Sequence, residues 1–283
     1  MGTLYIVATP IGNLDDISRR ALDVLRVVDV IAAEDTRHSR RLLSHYGIDT
    51  PLTALHEHNE RQAGPKLVAR LQDGQSVALI SDAGTPLLSD PGYHLIRAAQ
   101  DGDITVVPVP GASALLAALS ASGLPAQHFC FEGFLPARGA ARRAYLESLA
   151  DETRTLVFFE APHRILDTLR DLLALWGKDR EAVLARELTK TFETVRRGTL
   201  AQLQAWVAGD EDQRRGEIVL LVRGARASAG EQDLDRDSVR TLQVLLDELP
   251  VKQAVRLAAQ ITGKKRNMLY AFAVDANSKK DAD

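Results

Sequence analysis

Short apolar runs alternate with segments of helical spacing along the first half of the chain. Runs typical of strands occupy residues 4–8, 30–33, 52–55, 77–80 and 104–109. Between the first two runs, apolar residues recur every three or four positions from Ile17 to Val28, which predicts a helix capped by Asp15 or Asp16. Strands that alternate with helices predict a mostly parallel α/β sheet.

The alternation continues in the second half and changes character near residue 224. Strand-like runs lie at 129–134, 155–160, 182–186, 192–197 and 217–222. Residues 224–237 are rich in Gly, Ala, Ser and acids, which is typical of a linker. Helical spacing follows, and Pro250 and Gly263 are predicted to start and stop the second of three short helices, a helix-turn-helix-type arrangement. The predicted domains are therefore 1–120 and 121–223, both α/β, and a helical domain at 238–283.

Composition narrows the class of protein. The 283 residues are 45% apolar and 26% charged, as expected for a chain with a packed core. Cys130 is the single cysteine, so no intramolecular disulfide can form, which suits a reducing compartment. No apolar stretch reaches about 18 residues, and Pro10 and Gly12 interrupt the first run, so neither a membrane span nor a signal peptide is expected. Because the net charge is −3, any contact with nucleic acid must come from local basic patches.

The stretch from Ser81 to Gly92 has the strongest ligand-binding character. It follows the run 77–80, precedes a predicted helix, and holds Asp82 and Asp90 among Gly and Pro residues. Glycine lets a ligand approach the backbone, and carboxylates accept hydrogen bonds from hydroxyl or amino groups. Loops with Pro and Gly also follow the strands at 4–8 and 104–109, and parallel sheets bind ligands at such strand ends. Taken alone, the stretch is equally compatible with an acidic surface turn.

The motifs of two common nucleotide-binding folds are missing from the sequence. The first strand is not followed by Gly-x-Gly-x-x-Gly, and the chain contains no Walker-type lysine loop. An ordinary dinucleotide fold and a P-loop NTPase are therefore disfavoured.

Four further motifs complete the set of loops. They are Glu34-Asp-Thr-Arg37, Phe131-Glu-Gly-Phe-Leu-Pro136, Glu160-Ala-Pro-His-Arg164 and Arg186-Glu-Leu-Thr-Lys190. Together with the Pro/Gly loops, the set resembles the tetrapyrrole methylase family over residues 1–223, and more loosely to the C-terminus. Within that family it is most similar to the branch that methylates ribose 2′-hydroxyls of 16S ribosomal RNA.

The resemblance carries a set of expectations about fold and function. It implies two α/β domains with a cofactor cleft between them, and S-adenosylmethionine as the cofactor. It also implies a cytidine of the decoding region as the target, the small ribosomal subunit RNA as partner and a homodimer. A cytoplasmic location is expected because the single cysteine suits a reducing compartment.

The resemblance also places the cofactor. On the first-domain side it implies contacts from Pro10, Asp82, Ala83, Gly84, Thr85, Ser113 and Ala114, and on the second-domain side from Phe159, Leu188 and Gly216. Ser113 and Ala114 start a predicted helix, where free N–H groups favour a carboxylate. For Phe159, plain core packing is the competing interpretation.

Methyl transfer to a ribose hydroxyl requires alignment and help in removing a proton from a weak acid. The candidates are Glu34, Glu160, Glu187 and Lys190, of which Lys190, Glu187 and Glu160 form the predicted catalytic set. If residues 186–190 continue a strand, Arg186, Leu188 and Lys190 share one face, from which Lys190 could stabilise an alkoxide or bind a phosphate. Solvated ion pairs are the competing interpretation.

The closely spaced His56, His58 and Glu60 suggest a metal cluster. No third soft ligand lies nearby in the sequence and the predicted chemistry needs no metal, so no metal site is predicted. Polar contacts in the active site are the preferred interpretation.

Three basic clusters punctuate the chain. The first contains Arg37, Arg40 and Arg41, and the second Arg138, Arg142 and Arg143. The third, which has no acid between Leu249 and Val274, contains Lys252, Arg256, Lys264, Lys265 and Arg266. Each could be a solvated face, but three clusters in an acidic protein favour a polyanionic substrate. The predicted RNA-binding residues are Arg37, Arg40, Arg41, Arg138, Lys264, Lys265 and Arg266.

Two other functions stay open at the level of sequence. A sister enzyme could methylate a tetrapyrrole precursor or a modified histidine, as in diphthine synthesis. A non-catalytic RNA-binding protein could instead use S-adenosylmethionine as a sensed ligand.

Overall fold

The computed structural model describes residues 1–225, 234 and 236–280. These residues form two compact units, one made of Met1–Glu147 with Arg154–Arg223 and one made of Ser148–Thr153 with Gly224–Asp283. Most of the expected linker at 224–237 lies outside the described residues. None of the helices in the described ranges has the length and apolarity that a bilayer crossing requires.

The first sheet is parallel throughout, as the sequence predicts. Its strands are β1 (Thr3–Val7), β2 (Val30–Ala33), β3 (Leu52–Ala54), β4 (Val77–Ile80) and β5 (Thr105–Val109), in the order β3-β2-β4-β1-β5. The helices between and after them are α1 (Arg19–Val27), α2 (Thr36–His45), α3 (Glu60–Gln72), α4 (Tyr93–Asp101) and α5 (Ala114–Ser122).

The alternating side chains of β4 explain why the first sheet is covered on both faces. Val77 and Leu79 pack into one apolar core, and Ala78 and Ile80 pack into the other. A strand buried on both faces has a continuous apolar sequence rather than an alternating one.

The cap of α1 differs from the expectation. Ser18 rather than an aspartate caps this helix, and its side chain accepts a hydrogen bond from the Ala21 N–H at 3.1 Å.

The second sheet is mostly antiparallel. Its strands are β6 (Phe129–Phe134), β7 (Thr155–Glu160), β8 (Glu181–Arg186), β9 (Thr194–Thr199) and β10 (Ile218–Val222), in the order β6-β7-β10-β8-β9. Only the β6–β7 pair is parallel among these described strands. Its helices are α6 (Gly139–Ser148), α7 (Ile165–Trp176) and α8 (Leu200–Gly209).

Helix α5 connects the two sheets by packing as well as by sequence. Leu115 and Leu119 on its buried side share a core with Val157, Val183 and Val219 of the second sheet. Both sheets consequently belong to one compact unit. The division into separate α/β domains at residue 120 stays a prediction.

The C-terminal unit contains α9 (Arg236–Glu248), α10 (Val251–Thr262) and α11 (Arg266–Lys280). Leu242, Ala258 and Leu269 contribute one buried side chain from each helix to its core. Pro250 precedes α10 as predicted, and Gly263 ends it in the left-handed conformation at φ 69°, donating its N–H to the Ala259 carbonyl at 3.1 Å.

Candidate active site

A cleft of about 470 Å³ lies where the loops of the first sheet face the second sheet. On the first-sheet side, each wall segment follows the carboxyl end of a strand, at Ile11, Glu34, 82–85, 88–90 and 113–114. On the other side, the wall comes from β6, β7, β8 and β10 and from the segments that follow β7 and β8. Carboxyl ends of parallel strands meet at one edge of a sheet, which is why segments distant in sequence converge here.

The cleft brings together nearly all of the predicted cofactor positions. Its lining includes Asp82, Ala83, Gly84, Thr85, Ser113, Ala114, Phe159, Leu188 and Gly216. Pro10 is buried just before the lining residue Ile11 and is not itself part of the wall.

Hydrogen bonds tie the three Pro/Gly loops into one wall. Thr9 and Gly84 exchange N–H···O bonds of 2.9 and 3.1 Å. The Thr85 hydroxyl donates to the Ala112 carbonyl at 3.1 Å, which fastens the central loop to the start of α5. Gly84 has φ 81°, and a Cβ there would lie 3.1 Å from Ile11, so glycine suits this close approach.

Three carboxyl groups face the cleft from this wall. Asp82 accepts the Asp35 N–H at 3.0 Å, and Glu34 in turn accepts the Asp82 N–H. Burial, and then the charges of Asp90 and Asp82, raise the pKa of Glu34. Burial also raises the pKa of Asp90, against the opposing effect of a hydrogen bond from Ser81. No cation in the described part of the chain forms a salt bridge with any of the three.

Ser113 contributes a buried hydroxyl without a partner. It is 8% exposed, lines the cleft at the N-terminus of α5, and its Oγ has no hydrogen-bond partner among the described residues. The first N–H groups of a helix also lack intrahelical acceptors. Buried polar groups normally find partners, so this corner is suited to a polar ligand group.

The predicted catalytic residues Glu187 and Lys190 form an ion pair beside the cleft, next to the lining residues Leu188 and Glu217, and do not line it themselves. Lys190 Nζ lies 2.8 Å from Glu187 Oε1 and 3.3 Å from Glu217 Oε2, and Glu187 also accepts the Glu217 N–H at 2.9 Å. Burial acts against both charges, but the pairing prevails, so the pKa of Glu187 is lowered and the pKa of Lys190 is raised. Lys190 is therefore held as a cation.

The expectation that residues 186–190 continue a strand is wrong. Strand β8 ends at Arg186, and Glu187 and Thr189 take left-handed conformations at φ 51° and 67°. The resulting turn folds Lys190 back onto Glu187, so faces do not alternate through this segment. Two glycines make room for the pair, because a Cβ on Gly12 would overlap Lys190 and one on Gly216 would overlap Glu187.

Glu160 is one of the residues that line the cleft, but its carboxylate is occupied by neighbouring groups. Its side chain has no exposed surface, accepts from the Ala161 N–H at 2.8 Å and the Thr168 hydroxyl at 2.6 Å, and lies 3.2 Å from Arg164 Nε. Arg164 in turn donates to the Leu135 carbonyl at 2.5 Å. The geometry gives Glu160 the task of fixing the start of α7 and leaves no carboxylate oxygen available for proton transfer.

The His56, His58 and Glu60 group does not converge on the cleft. Glu60 caps α4, accepting from the N–H groups of His94 at 2.9 Å and Leu95 at 3.2 Å. The two imidazole rings are 6.1 Å apart. Within the described ranges, no three His, Cys, Asp or Glu side chains are arranged to hold a metal ion.

The basic clusters differ in exposure. Arg37, Arg40 and Arg41 are exposed on α2, which starts two residues after Glu34 at the cleft. Arg138 is exposed, whereas Arg142 is buried and paired with Asp171 at 2.8 Å. Arg142 therefore forms a structural ion pair and does not belong to an RNA-facing cluster. In the C-terminal unit, Lys252, Arg256, Lys265 and Arg266 are exposed and Lys264 is half-buried.

Sequence reasoning missed part of the apolar wall. Ile11, Leu88, Phe134, Ala185 and Val219 line the cleft but were not predicted as site residues. Their position relative to the strands could have indicated them, since Ile11 follows β1 and Phe134 ends β6. Apolar residues at strand ends are as common in cores as in sites, so position alone did not separate them.

Comparison with known protein families extends over almost the whole chain. Residues 3–204 match the family described as Tetrapyrrole (Corrin/Porphyrin) Methylases, and residues 232–277 match the RsmI C-terminal HTH domain. The chain is 59% identical to the Ribosomal RNA small subunit methyltransferase I of Pseudomonas aeruginosa, covering 98% of this chain and 99% of that protein. It is 55% identical to the protein of the same name from Escherichia coli O157:H7, covering 97% and 95%.

Solved structures with the same fold are more distant. Uroporphyrin-III-C-methyltransferase from Thermus thermophilus is 22% identical with a TM-score of 0.54, covering 79% of this chain and 94% of that one. Diphthine synthase is 17% identical with a TM-score of 0.58, covering 78% and 90%. Together with the two family matches, they confirm the predicted fold class of tetrapyrrole methylase-type α/β structure with a helical C-terminal domain.

Proposed function

This chain belongs to the tetrapyrrole methylase family, and we propose from that premise that it is an S-adenosylmethionine-dependent methyltransferase acting on 16S ribosomal RNA. The observation that carries the proposal is the 59% identity to a ribosomal RNA small subunit methyltransferase over 98% of the chain. The uroporphyrin-III-C-methyltransferase and diphthine synthase structures are 22% and 17% identical and support the fold alone. The target we propose is the 2′-hydroxyl of a cytidine ribose in the decoding region.

The cleft offers the hydrogen-bonding groups and the apolar surface that this cofactor needs. When bound, S-adenosylmethionine would supply a methyl group from its sulfonium, which an acceptor oxygen takes as the carbon–sulfur bond breaks and the neutral thioether leaves. Asp82 and Asp90 can accept from its amino or ribose hydroxyl groups, and the unpartnered Ser113 hydroxyl can bond its carboxylate. Leu188 and Val219 offer an apolar surface for the adenine.

Glu34 is our choice for the group that accepts the proton of the ribose hydroxyl. A carboxylate in the cleft with a raised pKa is a stronger base than an ordinary glutamate. Glu187 is less suitable because Lys190 lowers its pKa, and Glu160 has no available oxygen. Lys190, held as a cation, is suited to stabilising a developing alkoxide or a nearby phosphate.

The exposed cations are proposed to hold the RNA. Arg37, Arg40 and Arg41 stand next to the cleft on α2, and Arg138 follows β6. In the C-terminal unit we assign the same task to Lys264, Lys265 and Arg266, in a segment without acids. Each phosphate contact should steepen the salt dependence of binding by about one unit. We further propose that the protein is cytoplasmic and, as the family resemblance implies, that it forms a homodimer. Sedimentation at varied protein concentration tests the dimer.

The test is methyl transfer from radiolabelled S-adenosylmethionine to purified small ribosomal subunits, with a free tetrapyrrole precursor as the competing acceptor. We expect label in 16S RNA, recovered after nuclease digestion as 2′-O-methylcytidine. Label in the tetrapyrrole alone would assign the chain to the sister chemistry. Tight binding of cofactor and RNA without transfer would instead indicate a sensor.

A further inference from the structure

An irregular step in β6 changes the direction in which one aromatic side chain points. Phe131 pairs with Val157 of β7, but the next pairs are Gly133 with Phe158 and Phe134 with Phe159. One extra residue, Glu132, is therefore inserted into β6. In a regular strand, residues three apart face opposite sides, and a bulge of one residue brings them to the same side.

The ring geometry agrees with this register. The Phe159 ring centroid lies 4.8 Å from that of Phe131 and 5.7 Å from that of Phe134, both edge-to-face. Phe131 and Phe159 pack against the core beneath α5, whereas Phe134 and Phe159 line the cleft. The bulge thus carries the aromatic surface from the core to the wall of the cleft.

Local contacts hold the bulge in place. Gly133 adopts φ 62°, a conformation that glycine accommodates without strain. The side chain of Glu132 accepts a hydrogen bond from the hydroxyl of Tyr145 on α6. The irregularity is consequently a supported feature of the strand, as bulges beside active sites commonly are.

The ring that the bulge presents is largely uncovered. Phe134 is 55% exposed although it lines a cleft, so the protein gains little from its burial. Flat apolar surface of this kind is what a nucleobase stacks on when it leaves the RNA stack. The chain continues from Phe134 to the exposed Arg138, a cation available to the phosphates of the same strand.

Two ligands could supply the flat partner, the adenine of the cofactor or the base of the substrate. Ile11, Leu188 and Val219 form a buried apolar part of the cleft wall, next to the polar cofactor positions Gly84 and Ser113, and Phe134 is not part of the core to which they belong. An adenine placed there leaves Phe134 uncovered. We propose that Phe134 stacks on the nucleobase of the nucleotide whose ribose is methylated, an inference that rests on the proposed function.

The experiment compares Phe134→Leu, Phe134→Met and Phe134→Trp in the full-length protein, with Phe192→Leu as the matched control. Phe192 is 70% exposed and does not line the cleft. We expect kcat/KM for small subunits to fall roughly five- to a hundredfold in the Leu and Met variants, because they are apolar but not flat. The Trp variant should keep it within about threefold, as should the control, and calorimetric affinity for S-adenosylhomocysteine should stay within about twofold throughout.

Each contrary outcome has a distinct meaning. Wild-type kcat/KM in folded Leu and Met variants would overturn the stacking role and leave the proposed function intact. A loss of S-adenosylhomocysteine affinity that matches the loss of kcat/KM would place the ring against the cofactor's adenine instead. Wild-type protein that methylates no RNA would overturn both proposals. Thermal melts identify any unfolded variant, and the second apolar variant then decides.

Discussion

The two walls of the cleft treat charge in opposite ways. On the first-sheet wall, Glu34, Asp82 and Asp90 lie close enough for their charges to interact, and no described cation pairs with them. Beside the second-sheet wall, Glu187 and Lys190, which do not themselves line the cleft, neutralise each other at 2.8 Å. The pKa of Glu34, which lines the cleft, is raised, and that of Glu187, which lies beside it, is lowered.

This difference has opposite consequences for stability. Because the pKa of Glu34 is raised on folding, the folded state binds its proton more tightly, and the associated stability is lost as pH rises through the folded pKa. Because the pKa of Glu187 is lowered, its contribution is present above the unfolded pKa and lost as pH falls through the folded value. At neutral pH the charge of Glu34 therefore destabilises the folded state, whereas the ion pair of Glu187 with Lys190 stabilises it. Such a combination is typical of a ligand-facing surface held by a rigid support.

The largest effect is expected for Glu34→Gln, which removes the proposed proton acceptor. We expect the single-turnover rate of methyl transfer to fall about a hundredfold or more. The melting temperature should rise at pH 7, because a partly buried charge that is also repelled by Asp90 and Asp82 is lost, and should approach that of the wild type under acidic conditions.

In the wild type, the rate of methyl transfer should begin to fall at a higher pH than it would with a glutamate of ordinary pKa, because the pKa of Glu34 is raised. Glu57→Gln, on an exposed residue outside the cleft, is the control. An undiminished rate in Glu34→Gln would return the proton acceptor to the other candidates.

The next largest effect is expected for Asp82→Ala, which removes a carboxylate from the first-sheet wall of the cleft. Loss of a hydrogen bond to a charged group should weaken cofactor binding roughly ten- to 150-fold. Calorimetry with S-adenosylmethionine measures it, and Asp82→Asn separates the loss of charge from the loss of the acceptor for the Asp35 N–H. The exposed Asp73→Ala serves for comparison. A folded Asp82→Ala protein with wild-type affinity would rule out the contact.

On the second wall, Lys190→Ala should slow transfer by about tenfold while cofactor affinity stays nearly constant. The reason is that the cation stabilises charge in the reaction rather than holding the cofactor. Single-turnover kinetics on small subunits tests this, with the exposed Lys66→Ala as the matched lysine.

Gly12→Ala offers a second route to the same site, because the added Cβ must displace Lys190. It should slow transfer less than Lys190→Ala does. Gly64→Ala, where an added Cβ meets nothing within 4 Å, should not slow it. Normal rates in both Lys190→Ala and Gly12→Ala would reduce the pair to a purely structural contact.

The smallest effect concerns the cations behind the first wall. Arg40→Gln with Arg41→Gln should lower RNA affinity roughly fivefold at low salt and make the salt slope shallower by up to about two units. The comparison is Arg214→Gln with Arg215→Gln, whose side chains are paired with Glu211 at 3.3 Å and Asp212 at 2.9 Å. Equal losses in the two double variants would show that net charge, rather than the position of α2, controls binding.

Local sequence determined the elements and the convergence of the main loops. Apolar runs such as 77–80 predicted strands because a strand buried on both faces needs continuous apolar residues. Loops at the carboxyl ends of parallel strands meet whatever their separation in sequence, and Gly84 and Ser113 accordingly line one cleft. Pro250 and Gly263 marked the limits of α10 because their backbone preferences act locally.

Only the tertiary structure decided which polar side chains were already occupied. Glu60 caps a helix 34 residues away, and Arg142 is buried against Asp171, 29 residues away. Two left-handed residues turned Lys190 onto Glu187, and one inserted residue aimed Phe134 at the cleft. A periodic pattern records which face of an element is apolar, whereas burial, pairing and pKa depend on neighbours brought together by folding.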